Sequence, residues 1–340
     1  GRLHVDTANY DDSGTALRNG SEVRRARLSL SSRYKDDFRF RGDYEFSDIG
    51  TGIKNLFVQY RGLDRWRLTV GHQIAPFGME QQQSSNRLDL MERSLLQALT
   101  PAFHLGVGAQ YRADRWFARF GVFDRNLDDA EARRARGKAF TGRIAGTPFR
   151  GDQWNTHIGA SVEYRELDND SLRFATRPES FVADTRLINT RTIDAAEQLA
   201  TYGLEATASV GRCRAGGEYI VSHTSRTALP NLQFDGFYVQ AACVLRGGNY
   251  EFRDNRGQFR PIQSRDSLGT VEVTTRLSRL DLNDKTVLGG RQTNTSIGVT
   301  WVPVESMRFL VNLVDYDASP NRNGAIDTGR LWQARLQFTF

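Results

Sequence analysis

Arginines occupy positions 24, 25 and 27 of the stretch 22-EVRRARLSLSS-32, and leucines then alternate with serines. A guanidinium is always charged and offers its donors in a flat fork. Rows of it suit the recognition of oxyanions. The balance of charge leans the same way, with Lys+Arg 46 against Asp+Glu 40 and lysine confined to positions 35, 54, 138 and 285. A GC-rich genome produces the same arginine bias, so the placement of the residues has to decide. Other chemistry is poorly represented. His4, His72, His104, His157 and His223 are scattered and form no HExxH set, and Ser84 and Ser85 have no neighbouring His and Asp to activate them. Gly289 and Gly290 stand outside any GxGxxG unit, and Cys213 and Cys243 fit neither a zinc site nor a CxxC motif. The residues point to anion binding without catalysis, and no cofactor is expected.

The elements that must carry these arginines are strands. In 22–32 the apolar residues alternate, which on a helix would scatter them over both faces but on a strand gathers them on one. The stretch 37-DFRFRGDYEF-46 repeats the scheme, with Phe38, Phe40, Tyr44 and Phe46 on one side and Arg39, Arg41, Asp43 and Glu45 on the other. So do 56-LFVQYRG-62, 66-WRLTVG-71, 105-LGVGAQYR-112, 116-WFARFGVF-123, 154-WNTHIGASVEY-164, 200-ATYGLEATASV-210, 237-FYVQAACVL-245, 295-TSIGVTW-301 and 332-WQARLQFTF-340. Segments of about nine to eleven residues match tilted strands crossing a bilayer. Short connections such as 34-YKD-36, 62-GLDR-65, 113-ADR-115 and 303-PVES-306 alternate with long polar ones at 10–21, 124–139, 165–198 and 316–324.

A soluble sandwich or propeller would place Leu, Ile and Val on the apolar face. Here Trp66, Trp116, Trp154, Trp301 and Trp332 sit near strand ends, as interfacial girdles do. No apolar run approaches the length of a membrane helix, and mean hydropathy is −0.53. The expected fold is all-β: a transmembrane up-and-down antiparallel β-barrel of about sixteen strands, with residues 1–340 forming one domain. The chain opens at Gly1 directly into strand-like sequence, which reads either as a mature chain whose targeting segment has been removed or as a fragment of a longer one. One stretch breaks the rhythm, 75-APFGMEQQQSSNRLDLMERSLLQALTPAF-103, within which 88-LDLMERSLL-96 predicts a short helix.

Parity and energy then place the charges. An arginine on the lipid side costs roughly 2–4 kcal/mol near the midplane. Arg2, Arg25, Arg27, Arg39, Arg41, Arg67, Arg119, Arg143, Arg276, Arg308 and Arg335 are therefore expected inside, in a wet lumen, moderated by Asp6, Asp43, Glu45, Glu163, Glu205, Glu218 and Glu272. His4 and His72 share lumen parity and are expected as ordinary pore-lining residues, the alternative being that they meet near the periplasmic mouth. Arg24 has the wrong parity, and either reaches towards lipid phosphates or is turned inward by a bulge. Arg173, Arg177, Arg186 and Arg191 of the long loop either extend the positive track as a funnel or form an ordinary solvated loop. Charge that points inward disfavours nucleic acid. If 213–223 and 233–245 form a hairpin, Cys213 and Cys243 become cross-strand neighbours on the outer face, either as a disulfide or as two small free residues.

The stretches 1-GRLHVD-6, 22-EVRRARLSL-30, 42-GDYEFS-47, 77-FGMEQQQSSNRLDLMERSL-95, 236-GFYVQAACVLRG-247, 272-EVTTRLSRLDLND-284, 289-GGRQTNTSIGVTWVP-303 and 307-MRFLVN-312 resemble, in order and spacing, the phosphate-selective porins of Gram-negative outer membranes, of the porin O and porin P type. The resemblance implies a sixteen-stranded barrel that assembles as a homotrimer among outer-membrane lipid and lipopolysaccharide. It also implies a third loop, residues 73–103, folded into the lumen as the pore constriction. Carried over by residue, the anion site would use Arg2, Arg25 and Arg93 with Arg24 and Arg27 beside them, the serine pair Ser84 and Ser85, and Glu45 where the family has an aspartate. Glu80 and Asp89 read as loop caps and loop-to-barrel ion pairs. Gln81 and Asn86 stand where the family has lysines, and Arg27 where it has a tyrosine. Positive charge has thus moved from the loop to the wall. The expected function is passive diffusion of small anions, with phosphate or polyphosphate foremost. The alternatives are a closed-lumen structural partner in an envelope complex and a porin for small acidic organic solutes.

Overall fold

The computed structural model describes all residues except 49, 125, 128–132, 169–171, 249, 251, 254–257 and 260–266. Sixteen strands close into one antiparallel barrel. They are β1 (Arg2–Ser13), β2 (Gly20–Tyr34), β3 (Phe38–Glu45), β4 (Gly52–Tyr60), β5 (Trp66–Ile74), β6 (Phe103–Arg112), β7 (Trp116–Phe123) and β8 (Ala139–Gly146), followed by β9 (Trp154–Glu166), β10 (Ala196–Val210), β11 (Cys213–Arg226), β12 (Leu232–Arg246), β13 (Thr270–Asp284), β14 (Val287–Val304), β15 (Met307–Ala318) and β16 (Asp327–Thr339). β1 pairs β16 from Arg2↔Thr339 to Ser13↔Thr328, which closes the barrel and pairs the edges of its first and last strands.

The period-two pattern is expressed as an inside-out protein. Leu28, Leu30, Val70, Val122, Ile144, Leu204 and Val239 are exposed on the outer wall, whereas Asp6, Asp43, Glu45, Arg143, Glu163, Glu205, Glu218, Glu272, Arg276 and Arg335 are buried inside. Trp66, Trp116, Trp154 and Trp301 ring the short-turn rim on the outer face, with Trp66–Tyr111 and Tyr111–Trp116 rings 5.1 and 5.2 Å apart. Trp332 is also outward but lies near the middle of β16, as the sixth of its thirteen residues, and belongs to neither rim.

The connections depart from a strict short–long alternation. The β12–β13 connection, 247–269, is long yet lies on the short-turn rim, and much of it is outside the described residues. The β13–β14 turn at 285–286 is tight on the long-loop rim, with Lys285 at φ 49°. Cys213 and Cys243 are register partners bonded to each other, their Cα atoms 4.1 Å apart, on the outer wall near the short-turn rim.

The interior also differs from a uniformly wet lumen. The loop between β9 and β10 turns inward as well. Its Leu172, Phe174, Ala183, Leu187, Ile188 and Ile193 pack against Leu199, Leu232, Phe234, Leu280, Leu282, Val314, Tyr316 and Leu331 of the wall and Leu95, Leu96 and Leu99 of the third loop. Here apolar side chains on inward strand positions have an apolar loop to cover them, and a dry core forms inside the barrel.

Candidate functional site

The third loop, 75–102, runs through the lumen. It carries one helical turn at Met79–Gln82 and 3-10 turns at Ser85–Arg87 and Leu95–Ala98, with no helix over 88–94. The helix expected at 88–96 is absent because wall side chains take the backbone acceptors a helix would need. Leu88 O accepts from Arg308 at 3.0 Å, Asp89 O from Thr300 at 3.2 Å, Met91 O from Arg335 at 2.5 Å and Glu92 O from Arg276 at 3.1 Å. Carboxylates complete the anchoring. Glu218 of β11 accepts from the amides of Met79 and Glu80 at 2.9 and 2.6 Å, and Glu80 in turn accepts from Ser94 Oγ at 2.7 Å and Arg276 at 3.2 Å. Asp89 accepts from Arg214 and Gln240.

Arg24 is turned inward by a bulge. His4 pairs with Arg25 and Val5 with Val23, which leaves Arg24 as the extra residue on β2. Both Arg24 and Arg25 thereby face the lumen. Arg24 forms a two-pronged pair with Glu92 at 2.8 and 3.0 Å and lies 3.6 Å over the ring of Phe181 from the second inward loop. Arg335 ties the same Glu92, at 2.5 Å, to Asp6, at 2.7 and 2.6 Å.

The neighbouring residues make a graded set. Arg27 holds Glu45 through Nε at 3.1 Å and Nη2 at 3.0 Å, and the amide of Ala26 donates to the other Glu45 oxygen at 2.6 Å. Arg25 reaches the same carboxylate only at 3.7 Å. Glu45 is thus an anchor for the arginine row, and its oxygens are already occupied. Arg2 donates to Ser85 Oγ at 2.9 Å and Ser84 Oγ at 3.4 Å, linking the wall to the serine pair. Arg93 donates to Glu80 O at 3.1 Å and Gln83 O at 2.6 Å, so it braces the loop while also facing the cavity.

All eight residues of the sequence-derived anion set line one cavity of about 640 Å³: Arg2, Arg24, Arg25, Arg27, Glu45, Ser84, Ser85 and Arg93. Eleven cationic side chains and three carboxylates surround it, so its wall is strongly positive. Gly50 and Asn126 contribute from the long-loop rim and Glu305 from the short-turn rim, so the lining spans the barrel from end to end. The cavity lies against β1–β7 and β14–β16. The opposite wall is filled by buried pairs such as Arg143–Glu205 at 2.5 Å, Arg165–Glu163 at 2.9 Å and Arg276–Glu179 at 2.5 Å.

The four loop arginines do not act together. Arg177 lines the cavity, pairs with Asp184 and stacks 4.7 Å from Phe181. Arg186 borders a small void beside it, Arg173 is half-buried in a strand pair with Arg134, and Arg191 is exposed. His4 is buried with Nε2 3.0 Å from Asn86 Oδ1, but His72 shares its register with the outward Leu56 and Leu105 at the long-loop end of β5. The two histidines therefore do not meet. Sequence reasoning missed Glu92, Glu179 and Phe181. For Glu92 a signal existed, a lone acid beside Arg93 in the apolar run 88-LDLMERSLL-96.

Comparison with known proteins agrees with this architecture. A protein of unassigned function from Caulobacter vibrioides is 30% identical over 357 residues, covering 96% of this chain and 70% of that protein. An anion-selective porin from Comamonas acidovorans superposes with a TM-score of 0.62 at 11% identity, covering 99% of each chain. OmpT of Vibrio cholerae in its trimer form gives a TM-score of 0.60 at 12% identity, covering 100% of this chain and 98% of that one. The sequence of residues 1–340 matches the family described as phosphate-selective porin O and P, and the chain belongs to that family of porins.

Proposed function

We propose that the protein is a porin of the Gram-negative outer membrane that lets small anions diffuse through the arginine-lined cavity, with phosphate as the leading solute. The observation that carries this reading is the eleven-to-three excess of cationic over acidic side chains around a cavity lined from both rims. Low-dielectric walls focus such a field, so anions are enriched and cations repelled. Arg25 and Arg93 form the filter, Arg2 with Ser84 and Ser85 completes the donor shell, and Arg177 extends the track towards the loops. Neither a nucleophile nor a cofactor enters the process; the protein is a channel and not an enzyme. By likeness to the trimeric Vibrio protein, the assembly is a homotrimer surrounded by lipid and lipopolysaccharide.

A second reading has one observation in its favour. The apolar core contributed by the second inward loop narrows the lumen, as expected of a closed barrel that serves as a structural partner in an envelope complex. Planar-bilayer recording separates the two. The first reading predicts a reversal potential of anion-preferring sign in a salt gradient, lost in the Arg25→Ala/Arg93→Ala variant. A variant that retains the parent's preference would show the filter to be misplaced. A cation-preferring parent refutes the anion reading, and a parent with no conductance supports the closed barrel.

A further inference from the structure

The cavity holds features that a filter for bare inorganic anions does not need. Most of its arginines are already engaged: Arg24 by Glu92, Arg27 by Glu45, Arg41 by Asp43, Arg308 by the carbonyls of Asn86 and Leu88. Arg25 differs. Its closest carboxylate contact is 3.7 Å away, and its Nε has no hydrogen-bond partner. Its guanidinium lines the cavity and is a donor for an incoming oxyanion.

Gln81 is the complementary case. Its Nε2 donates to Pro101 O at 3.2 Å, while its Oε1, buried on a side chain only 5% exposed, has no partner. An unmatched buried acceptor costs free energy unless a donor reaches it. Inorganic phosphate carries its hydroxyl on the very group that the arginines hold, whereas a polyhydroxylated ester offers hydroxyl donors at a distance from its phosphate. Further neutral groups, Gln59, Gln73, Gln83 and Gln97, line the same cavity, as does the inward-facing ring of Phe57. A volume of about 640 Å³ lies in the range of sites for organic ligands, and phosphate with its five heavy atoms would leave most of it as water.

We infer that the preferred solute is a phosphomonoester of a small polyhydroxylated molecule, a sugar phosphate, with its phosphate at Arg25 and a sugar hydroxyl donating to Gln81 Oε1. This rests on the anion-porin reading and narrows it. The presence of glutamine at 81 then has a physical purpose, since a lysine there would supply a second donor where the ligand's hydroxyl needs an acceptor.

The test uses the full chain in planar bilayers carrying potassium chloride current, with glucose 6-phosphate, inorganic phosphate and glucose added in turn. Glucose 6-phosphate is expected to half-block at a concentration about tenfold below that of phosphate, the worth of one additional hydrogen bond. Glucose alone should not block. Gln81→Leu should raise the half-blocking concentration of glucose 6-phosphate about tenfold and leave that of phosphate within about twofold. Phosphate blocking at equal or lower concentration than glucose 6-phosphate overturns the inference, as does a Gln81→Leu shift that is the same for both. If Gln81→Leu fails to assemble, the parent's ratio of the two blocking concentrations still decides. The reversal potential in potassium chloride alone keeps the two levels apart: anion preference without sugar-phosphate preference sinks this inference and leaves the porin reading intact.

Discussion

Neutralising Glu92 should loosen the constriction loop without dismantling the barrel. Glu92 is 4% exposed and accepts from Arg24 at 2.8 and 3.0 Å and from Arg335 at 2.5 Å. Arg335 retains Asp6 at 2.6 Å, so its loss is partial. Arg24 has Glu92 as its carboxylate partner within 4 Å among the described residues, and Glu92→Gln leaves that guanidinium buried without a counter-charge. Removing one partner of a buried pair costs about 3–5 kcal/mol. The loop keeps its anchors at Glu218, Asp89 and Arg308, so the cost falls on the segment around 90–94. A penalty of that size raises the population of loop-displaced states by about two orders of magnitude or more. Single-channel recording should show larger and noisier conductance, and the heat-induced mobility shift on gels should move to lower temperature. Replacing both groups by Arg24→Met with Glu92→Leu should recover most of the loss, because an apolar pair leaves no buried charge behind. Unchanged conductance and unchanged thermal shift in Glu92→Gln would refute the anchoring role. A double variant as unstable as the single one would refute the assignment of the cost to Arg24.

Other outcomes follow from the same architecture. Leu204 is 63% exposed midway along β10, so Leu204→Arg should cost roughly 2–4 kcal/mol when the chain refolds into vesicles, and an unaltered unfolding midpoint would contradict an outward-facing wall. Thiol titration of the denatured, unreduced chain should find no free thiol and, after reduction, two; Cys213→Ser should leave conductance unchanged, since the pair lies on the outer face. Phe181 is stacked by Arg24 at 3.6 Å and Arg177 at 4.7 Å, contacts worth about 0.5–2 kcal/mol each. Phe181→Ala should therefore loosen both arginines, which keep only their carboxylate partners, and raise single-channel conductance; an identical conductance would show that the second inward loop does not shape the passage.

The alternation of apolar and polar residues was enough to specify strands, their number, the barrel and the face on which most of the charges lie, because side-chain direction in a strand is set locally with a period of two. The family could be read from ordered motifs, and the residues carried over from it converge on one cavity because most of them sit on strands or on a loop of fixed length between strands. Tertiary structure decided the rest. Arg24 faces inward only because its pairing with β1 slips by one residue, which depends on the partner strand and not on Arg24 itself. The segment 88–94 is not helical because side chains as distant in sequence as Thr300 and Arg335 compete for its carbonyls. The second inward loop looked polar because its apolar residues have no regular period, and only the facing wall of Leu199, Phe234 and Leu331 shows what they cover. Periodicity reports what one strand does; which loop fills a lumen is chosen by contacts hundreds of residues apart.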